Sequence, residues 1–396
     1  MSDVTAYRAR WIVPVDSRPI EDGVLVVADG RIVSIVPRWP KPCVDLGNVA
    51  LIPGLVNCHT HLEFSQLTQP ILPFLPFTDW IRAVIGYRRE HPDVVSTAIR
   101  QGLQESLAGG VTLLGDIATS AWNAADYTPN LPVPRTIVFQ EFLGLGDERI
   151  AQQRQLLDSS LHVSPHAPYS THPELFASVL KHAEERRSLV AVHLAETAAE
   201  VELLEHGTGE FREFLQSLGL WREGVFGGRS CRDWLEALSE LPRALVIHGN
   251  YLSVDELAVL ARAPHMTLVY CPRTHAAFGH PPHRWVDLLN LGGSVAIATD
   301  GRSSNPDLSL WKELQFLAAQ YPEMPPHLIL KLGTLSPARA LGQGQECGSL
   351  SPGKRADVAV VSLESPAFQD PLADLFAPGN DITATMLGGR WAYSQS

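Results

Sequence analysis

The stretch Leu51-Ile52-Pro53-Gly54-Leu55-Val56-Asn57-Cys58-His59-Thr60-His61-Leu62-Glu63 decides the reading of the whole chain. Its Pro53-Gly54 pair separates two textures. Upstream, residues 1–52 hold short apolar, β-branched runs at Trp11–Val15, Val24–Ala28 and Arg31–Val36, with Asp29-Gly30 as a hairpin signal between the last two. Downstream, apolar runs alternate with helical stretches as far as about Gly342. The runs are Leu55–His59, Val111–Asp116, Thr136–Glu141, Leu161–Pro165, Leu189–His193, Ala244–His248, Thr267–Cys271 and Ser294–Asp300. Val94–Leu107, Pro173–Arg187 and Ser253–Arg262 are among the helical stretches between them. Eight βα units over about 290 residues predict a (β/α)8 TIM barrel, whose usual size is about 250. A doubly wound open sheet is the rival, but no GxGxxG follows the first run, which counts against a dinucleotide-binding version. From about Cys347 short strands return, at Asp357–Ser362, Thr383–Leu387 and Gly389–Tyr393. The two β-rich ends share a texture that the middle lacks. The expected α/β architecture is therefore a barrel over 53–345 and a small β-sandwich domain built from 1–52 and 346–396.

The decisive stretch also opens the chemistry. His59 and His61 stand two apart at the end of the first barrel run, and residues i and i+2 on a strand face one side. An isolated HxH is usually accidental; here three more polar residues end later runs. His193 ends Leu189–His193, His248 ends Ala244–His248, and Asp300 ends Ser294–Asp300. Taken singly, each has a bland reading: a satisfied core histidine, or an aspartate that forms a turn. Together they occupy the strand ends at which barrels carry their active sites. Imidazoles with a carboxylate suit Zn²⁺ or Fe²⁺ with one position open for water.

In these segments the chain resembles the amidohydrolase superfamily, in its cytosine-deaminase-like branch. That branch contains S-adenosylhomocysteine, adenosine, guanine and aminodeoxyfutalosine deaminases and the triazine chlorohydrolases. The carrying segments are LIPGLVNCHTHLE (51–63), SPHAPYS (164–170), VAVHLAET (190–197), VIHGNYL (246–252), YCPRTHAAFGH (270–280), ATDGRSSNPDLSLWKEL (298–314) and GSLSPGKRADVAVV (348–361). The resemblance implies that His59, His61, His193 and Asp300 hold one divalent metal ion, with His248 beside it. Distant members bridge two metals with a carbamylated lysine on strand four. The segment His162–Ser164 has no lysine there, so a mononuclear site is expected.

Hydrolytic deamination replaces C–NH₂ by C=O, and water needs activation to attack. A bound metal lowers the pKa of water from 15.7 to about 7. Asp300 is the candidate acceptor of the water proton. Glu196, three residues after His193, is the candidate shuttle that protonates the ring and the departing amine. Its plain alternative is an acid opening the next helix. His248 can polarise the developing oxyanion, a role worth about 2–4 kcal/mol elsewhere. Four residues are candidates for substrate binding. Glu63 shares the face of His61 if the strand direction persists; its alternative is to support a histidine. His166 lies at the mouth of strand four. Arg273 suits a substrate anion, with a solvated loop arginine as its alternative. Trp80, with Phe74 and Phe77, suits an apolar wall over a flat ring, with core packing as the alternative. The Pro-rich patch Gln69–Phe77 reads as a loop over the barrel mouth.

Composition narrows the partners. Lys+Arg is 31 against Asp+Glu 43, a net charge of −12, which argues against a nucleic-acid polymer. Five scattered cysteines without a CxxC pair suggest reduced thiols and a cytoplasmic setting. Met1–Val15 has no basic segment followed by an apolar one, and no run of 18 apolar residues predicts a membrane span. The expected partner is a small heterocyclic substrate, and the resemblance adds a homodimer. The leading expectation is a metal-dependent aminohydrolase of an amino-purine nucleoside, of the aminodeoxyfutalosine or adenosine type. Hydrolysis of a cyclic amide, amidine or aryl chloride in the same site is the alternative. A non-catalytic barrel scaffold is a distant third, since such a relative is expected to lose ligands that this chain retains.

Overall fold

The computed structural model describes residues 4–119, 122–364, 372 and 375–395. Eight parallel strands form one sheet: β1 (Leu55–Thr60), β2 (Val111–Ala118), β3 (Arg135–Phe142), β4 (His162–Pro165), β5 (Val190–Leu194), β6 (Ala244–His248), β7 (Met266–Tyr270) and β8 (Val295–Ile297). Each pairs with the next in chain order. Every residue of β1, β2, β5, β6, β7 and β8 is buried. That is why these strands read as continuous apolar runs, as expected of a parallel sheet covered on both faces. Val56, Leu113, Phe139, Ala191, Leu245, Val269 and Ala296, from seven of the eight strands, meet in one cluster. Side chains from all round the sheet can meet only inside a barrel.

Side chains complete the closure between β1 and β8. Asn57 Nδ2 donates to Thr299 Oγ1 at 2.7 Å, and its Oδ1 accepts from the Thr299 N–H at 3.3 Å. Thr60 Oγ1 donates to the Asp300 carbonyl at 3.0 Å. The last strand is therefore shorter than the expected Ser294–Asp300. After Ala298, whose N–H still donates to the Tyr270 carbonyl at 3.0 Å, the chain trades ladder bonds for these contacts and turns at Asp300. Between β1 and β2 the approach is closer than a side chain allows: a Cβ on Gly115 would lie 2.5 Å from the Cys58 carbonyl oxygen.

Helices cover the barrel. Val95–Ala108, Pro173–Arg186 and Val254–Arg262 match their expected positions. The last opens on a capping box, Ser253 and Glu256, that satisfies donors left free at a helix start.

The chain ends form two further sheets. One has four strands in the order Arg31–Val36, Val24–Ala28, Val4–Arg8, Val44–Asp45. The other has six, in the order Arg390–Ser394, Ile382–Leu387, Val358–Ser362, Val49–Pro53, Trp11–Ile12, Ile20–Glu21. Val358–Ser362 runs antiparallel beside Val49–Pro53, so the two ends of the sequence share one sheet. Tyr7, Leu25, Val27, Leu51, Val358, Val360 and Met386 pack together in a core drawn from both sheets. Thr385 Oγ1 donates to the Leu107 carbonyl at 2.8 Å and Trp311 Nε1 to the Asn380 carbonyl at 2.7 Å, tying this unit to the barrel helices. Among the described residues, no helix is long and apolar enough to cross a membrane.

Candidate active site

His59 and His61 leave β1 with their rings 5.0 Å apart, edge to face. Both turn toward Asp300: His59 Nε2 lies 3.4 Å and His61 Nε2 3.7 Å from Asp300 Oδ1. His193, on β5, brings its Nε2 to 3.3 Å from His61 Nε2. His248, at the end of β6, has its ring centre 5.9 Å from that of His59 and 5.5 Å from that of His193. Strand ends from β1, β5, β6 and β8 thus bring the expected residues to one point.

The backbone is unusual at three of these ends. Ala195, His248 and Asp300 have φ of +53°, +67° and +60°, in the left-handed region that costs a non-glycine residue roughly 1–3 kcal/mol. Each is pinned. Glu200 accepts from the Ala195 and Glu196 N–H groups at 2.8 and 2.9 Å. The Asp300 carbonyl accepts from Thr60 and Thr299 hydroxyls at 3.0 and 2.9 Å, and its carboxylate from Ser304 Oγ at 2.7 Å. The His248 carbonyl accepts from His283 Nε2 at 2.8 Å.

Burial pushes His61 and His193 well below the usual histidine range, and lowers His166 and His248 to about 3 each. These imidazoles are therefore neutral and can offer lone pairs. Burial works to raise Asp300, but the neighbouring imidazoles, His59 foremost, outweigh it and hold the carboxyl well below the usual carboxylate range. Glu196 behaves oppositely. Burial first, then the Asp300 and Glu200 charges, push it well above the usual carboxyl range. Its Oε1 lies 3.4 Å from His248 Nε2.

The donor set fits a metal ion. Both ring nitrogens of His59 are buried without a partner, as is Nδ1 of His61. His193 spends Nδ1 on the His166 carbonyl at 3.0 Å, so its neutral Nε2 carries a lone pair that faces His61 Nε2. Ligand atoms of His59, His61 and Asp300 lie within 4.8 Å of one another, as do those of His59, His193 and His248. Three imidazoles and a carboxylate suit zinc.

A cavity of about 80 Å³ opens on this cluster and is lined by His61, His193, Glu196, His248 and Asp300 together with Trp80, His166 and Arg88. A second cavity of about 750 Å³ shares Ile81, Ile85, Arg88, His166 and Tyr169 with it, and extends along Leu143–Arg149 to Phe214, Leu218 and Arg222. Of the expected substrate contacts, Trp80 and His166 reach the cavity. Trp80 also donates to the Ser303 carbonyl at 3.4 Å, and Phe74 and Phe77 pack with it around Phe278.

The other two are placed elsewhere. The strand direction does not persist past Thr60: Leu62–Phe64 form a 3₁₀ turn. Glu63 faces Arg88, with Arg88 Nη2 at 2.6 Å from its Oε1. Arg273 lies outside both cavities. Its guanidinium is taken by Glu313 at 2.6 Å, by Asp307 at 2.7 Å and by the Ser309 carbonyl at 3.4 Å. All three guanidinium nitrogens are thus engaged by these partners rather than by the cavity.

Sequence reading missed several polar groups here. Arg88, from the helix Phe77–Glu90, lines both cavities. Glu141, near the end of β3, is buried with both carboxylate oxygens unpartnered, 3.8 Å from His166 Nε2. Asp116, in β2, accepts from the Leu62 N–H at 2.8 Å and from the Tyr127 hydroxyl, and burial raises it to about 8. A signal was present for two of them: Asp116 and Glu141 end expected strands, just as His193 and His248 do.

Comparison with known proteins agrees with this geometry. The amidohydrolase family model matches residues 50–392. A 5-methylthioadenosine/S-adenosylhomocysteine deaminase of Nitratidesulfovibrio vulgaris is 29% identical over 94% of this chain and 88% of its own length. The crystal structure of Helicobacter pylori aminofutalosine deaminase superposes with a TM-score of 0.85 at 22% identity, covering 98% of this chain and 100% of that one. A zinc-bound adenosine deaminase of Xanthomonas campestris superposes with a TM-score of 0.81 at 24% identity, covering 99% of this chain and 93% of that one. With a family model spanning most of its length, an eight-stranded parallel barrel and a histidine–aspartate cluster at the strand ends, the chain belongs to the amidohydrolase family.

Proposed function

We propose that the protein is a mononuclear zinc-dependent deaminase that converts an amino-purine nucleoside to its oxo product and releases ammonia. The observation that carries this reading is the convergence of His59, His61, His193 and Asp300 at the strand ends, beside a small cavity that Glu196 also lines. The proposed ligands are His59, His61, His193 and Asp300. Zinc bound there supplies Lewis acidity that makes water nucleophilic near neutral pH.

The remaining roles belong to the chain's own side chains. Asp300, held ionised, accepts the proton of the attacking water on its carboxylate. Glu196, pushed toward the protonated form by burial, delivers a proton to the ring nitrogen as the carbon becomes tetrahedral. It then takes the remaining proton of the added hydroxyl as the C=O forms and passes it to the departing amine, which leaves as ammonia, and the proton held by Asp300 returns to Glu196 for the next turnover. His248, neutral and 3.4 Å from Glu196, donates to the oxygen where negative charge develops. Trp80 and His166 border the ring.

The two cavities support the substrate class. About 80 Å³ beside the cluster suits a reacting ring edge, and the adjoining space of about 750 Å³ accommodates a large substituent with apolar and polar parts. An adenine nucleoside with a bulky 5′ group fits that division, as do the substrates named for the methylthioadenosine and aminofutalosine deaminases to which the chain is similar. The protein is proposed to work in the cytoplasm, with a homodimer as its expected assembly.

A panel of methylthioadenosine, S-adenosylhomocysteine, adenosine, aminodeoxyfutalosine, guanine, cytosine, a pterin and a chlorotriazine tests this reading by ammonia and chloride release. Ammonia from an adenine nucleoside is expected. Chloride from the triazine, with no ammonia from any amine, favours the aryl-chloride reading instead.

A further inference from the structure

His283 carries no motif in the sequence, yet it is 6% exposed and touches the backbone of a site residue. It lies in the turn before the helix Trp285–Asn290. Its Nδ1 accepts from the Trp285 N–H at 2.9 Å, so that nitrogen is bare. The ring proton is therefore on Nε2, which donates to the His248 carbonyl at 2.8 Å. Only this neutral tautomer makes both bonds. The ring stacks on Tyr270 of β7, centres 4.2 Å apart, and meets His275 edge to face at 5.6 Å. His275 in turn bonds the Pro281 carbonyl through Nε2 at 3.0 Å, which fixes the turn carrying His283.

The contact matters because of what His248 does with its backbone. In β6 the residues before it pair with β7 as far as Ile247–Val269. At φ +67° His248 leaves that ladder, and its carbonyl turns to His283. That backbone turn aims the imidazole at Glu196, 3.4 Å away, and at His59 and His193.

We infer that His283 is a positioning residue: by holding the His248 carbonyl through a fixed tautomer, it sets the orientation of the His248 ring for the reaction. This rests on the proposed role of His248. A residue that acts through a site group typically changes activity by about 10- to 100-fold when removed.

The test uses two variants of the full chain. Gln keeps a donor at the reach of Nε2, whereas Asn can satisfy the Trp285 N–H but falls short of His248. His283→Asn is expected to lower kcat about 10- to 100-fold, with KM and bound zinc unchanged. His283→Gln is expected to recover most of that loss at a similar melting temperature. Histidine-selective ¹⁵N NMR provides a readout that needs no substrate. Wild type should show His283 protonated on Nε2 alone, and the His248 resonances should shift in His283→Asn but not in His283→Gln. Equal kcat in both variants, an unmoved His248 signal or a proton on Nδ1 overturns the inference. His248→Asn separates the two claims. If it abolishes turnover while His283→Asn is normal, only this inference fails; if it is fully active, the role of His248 itself fails.

Discussion

Glu196 is buried and Arg273 half-buried, and their surroundings give these two ionisable residues opposite tests. Glu196 lines the cavity, and burial first, then the Asp300 and Glu200 charges, push its carboxyl toward the protonated form. Glu196→Gln should keep zinc and fold normally while kcat falls about 10²- to 10⁴-fold, the usual span for a lost general acid; near-wild-type kcat removes it from the reaction. Arg273 instead neutralises Glu313, which is fully buried. Arg273→Ala leaves that carboxylate without its cation, a loss of about 3–5 kcal/mol. Thermal unfolding should show this, and KM for the substrate should stay unchanged. The sequence displayed an arginine after strand seven but not its partners, because Asp307 and Glu313 reach it from 34 and 40 residues away.

At the scale of elements, the strand ends hold the residues of the proposed chemistry. His59, His193, His248 and Asp300 were legible because each closes an apolar run with a ligand-type residue, and a buried strand rarely ends so without a use for the polar group. Arg88 was not legible: it sits on a helix among other arginines, and only the fold brings that helix over the cavity. The loop after β8 is anchored by Arg273, Asp307 and Lys312. Burial works to raise Asp307, but hydrogen bonds from Arg273 outweigh it and hold it at about 2, below its ordinary 3.8. A carboxyl depressed on folding contributes stability that is complete above the unfolded value and is lost as pH falls through the folded one. Asp307→Asn should therefore flatten the part of acid destabilisation between about pH 4 and 2. Denaturant titrations across that range check this, and an unchanged pH slope contradicts it.

Across the whole molecule, the change of texture at Pro53-Gly54 announced the barrel, and the returning strands after Cys347 announced the shared terminal sheets. Strand lengths were less legible, since β8 ends where Asn57 and Thr299 side chains replace ladder bonds. The sheets also bind the two ends of the chain to each other. Removing residues 381–396 takes away buried Ile382 and Met386, worth about 1.5–3 kcal/mol each. Thermal unfolding of that truncation should show a clear loss of stability; an unchanged melting temperature contradicts the shared core. At the centre of the molecule stand the candidate metal ligands and the deamination proposed for them. The most direct measurement is ammonia release from the best adenine nucleoside before chelation, after it, and after zinc is returned. Turnover that stops on chelation and recovers with one zinc per chain is the predicted result. Undiminished turnover by the metal-free protein, or no ammonia from any member of the panel with zinc bound, contradicts it.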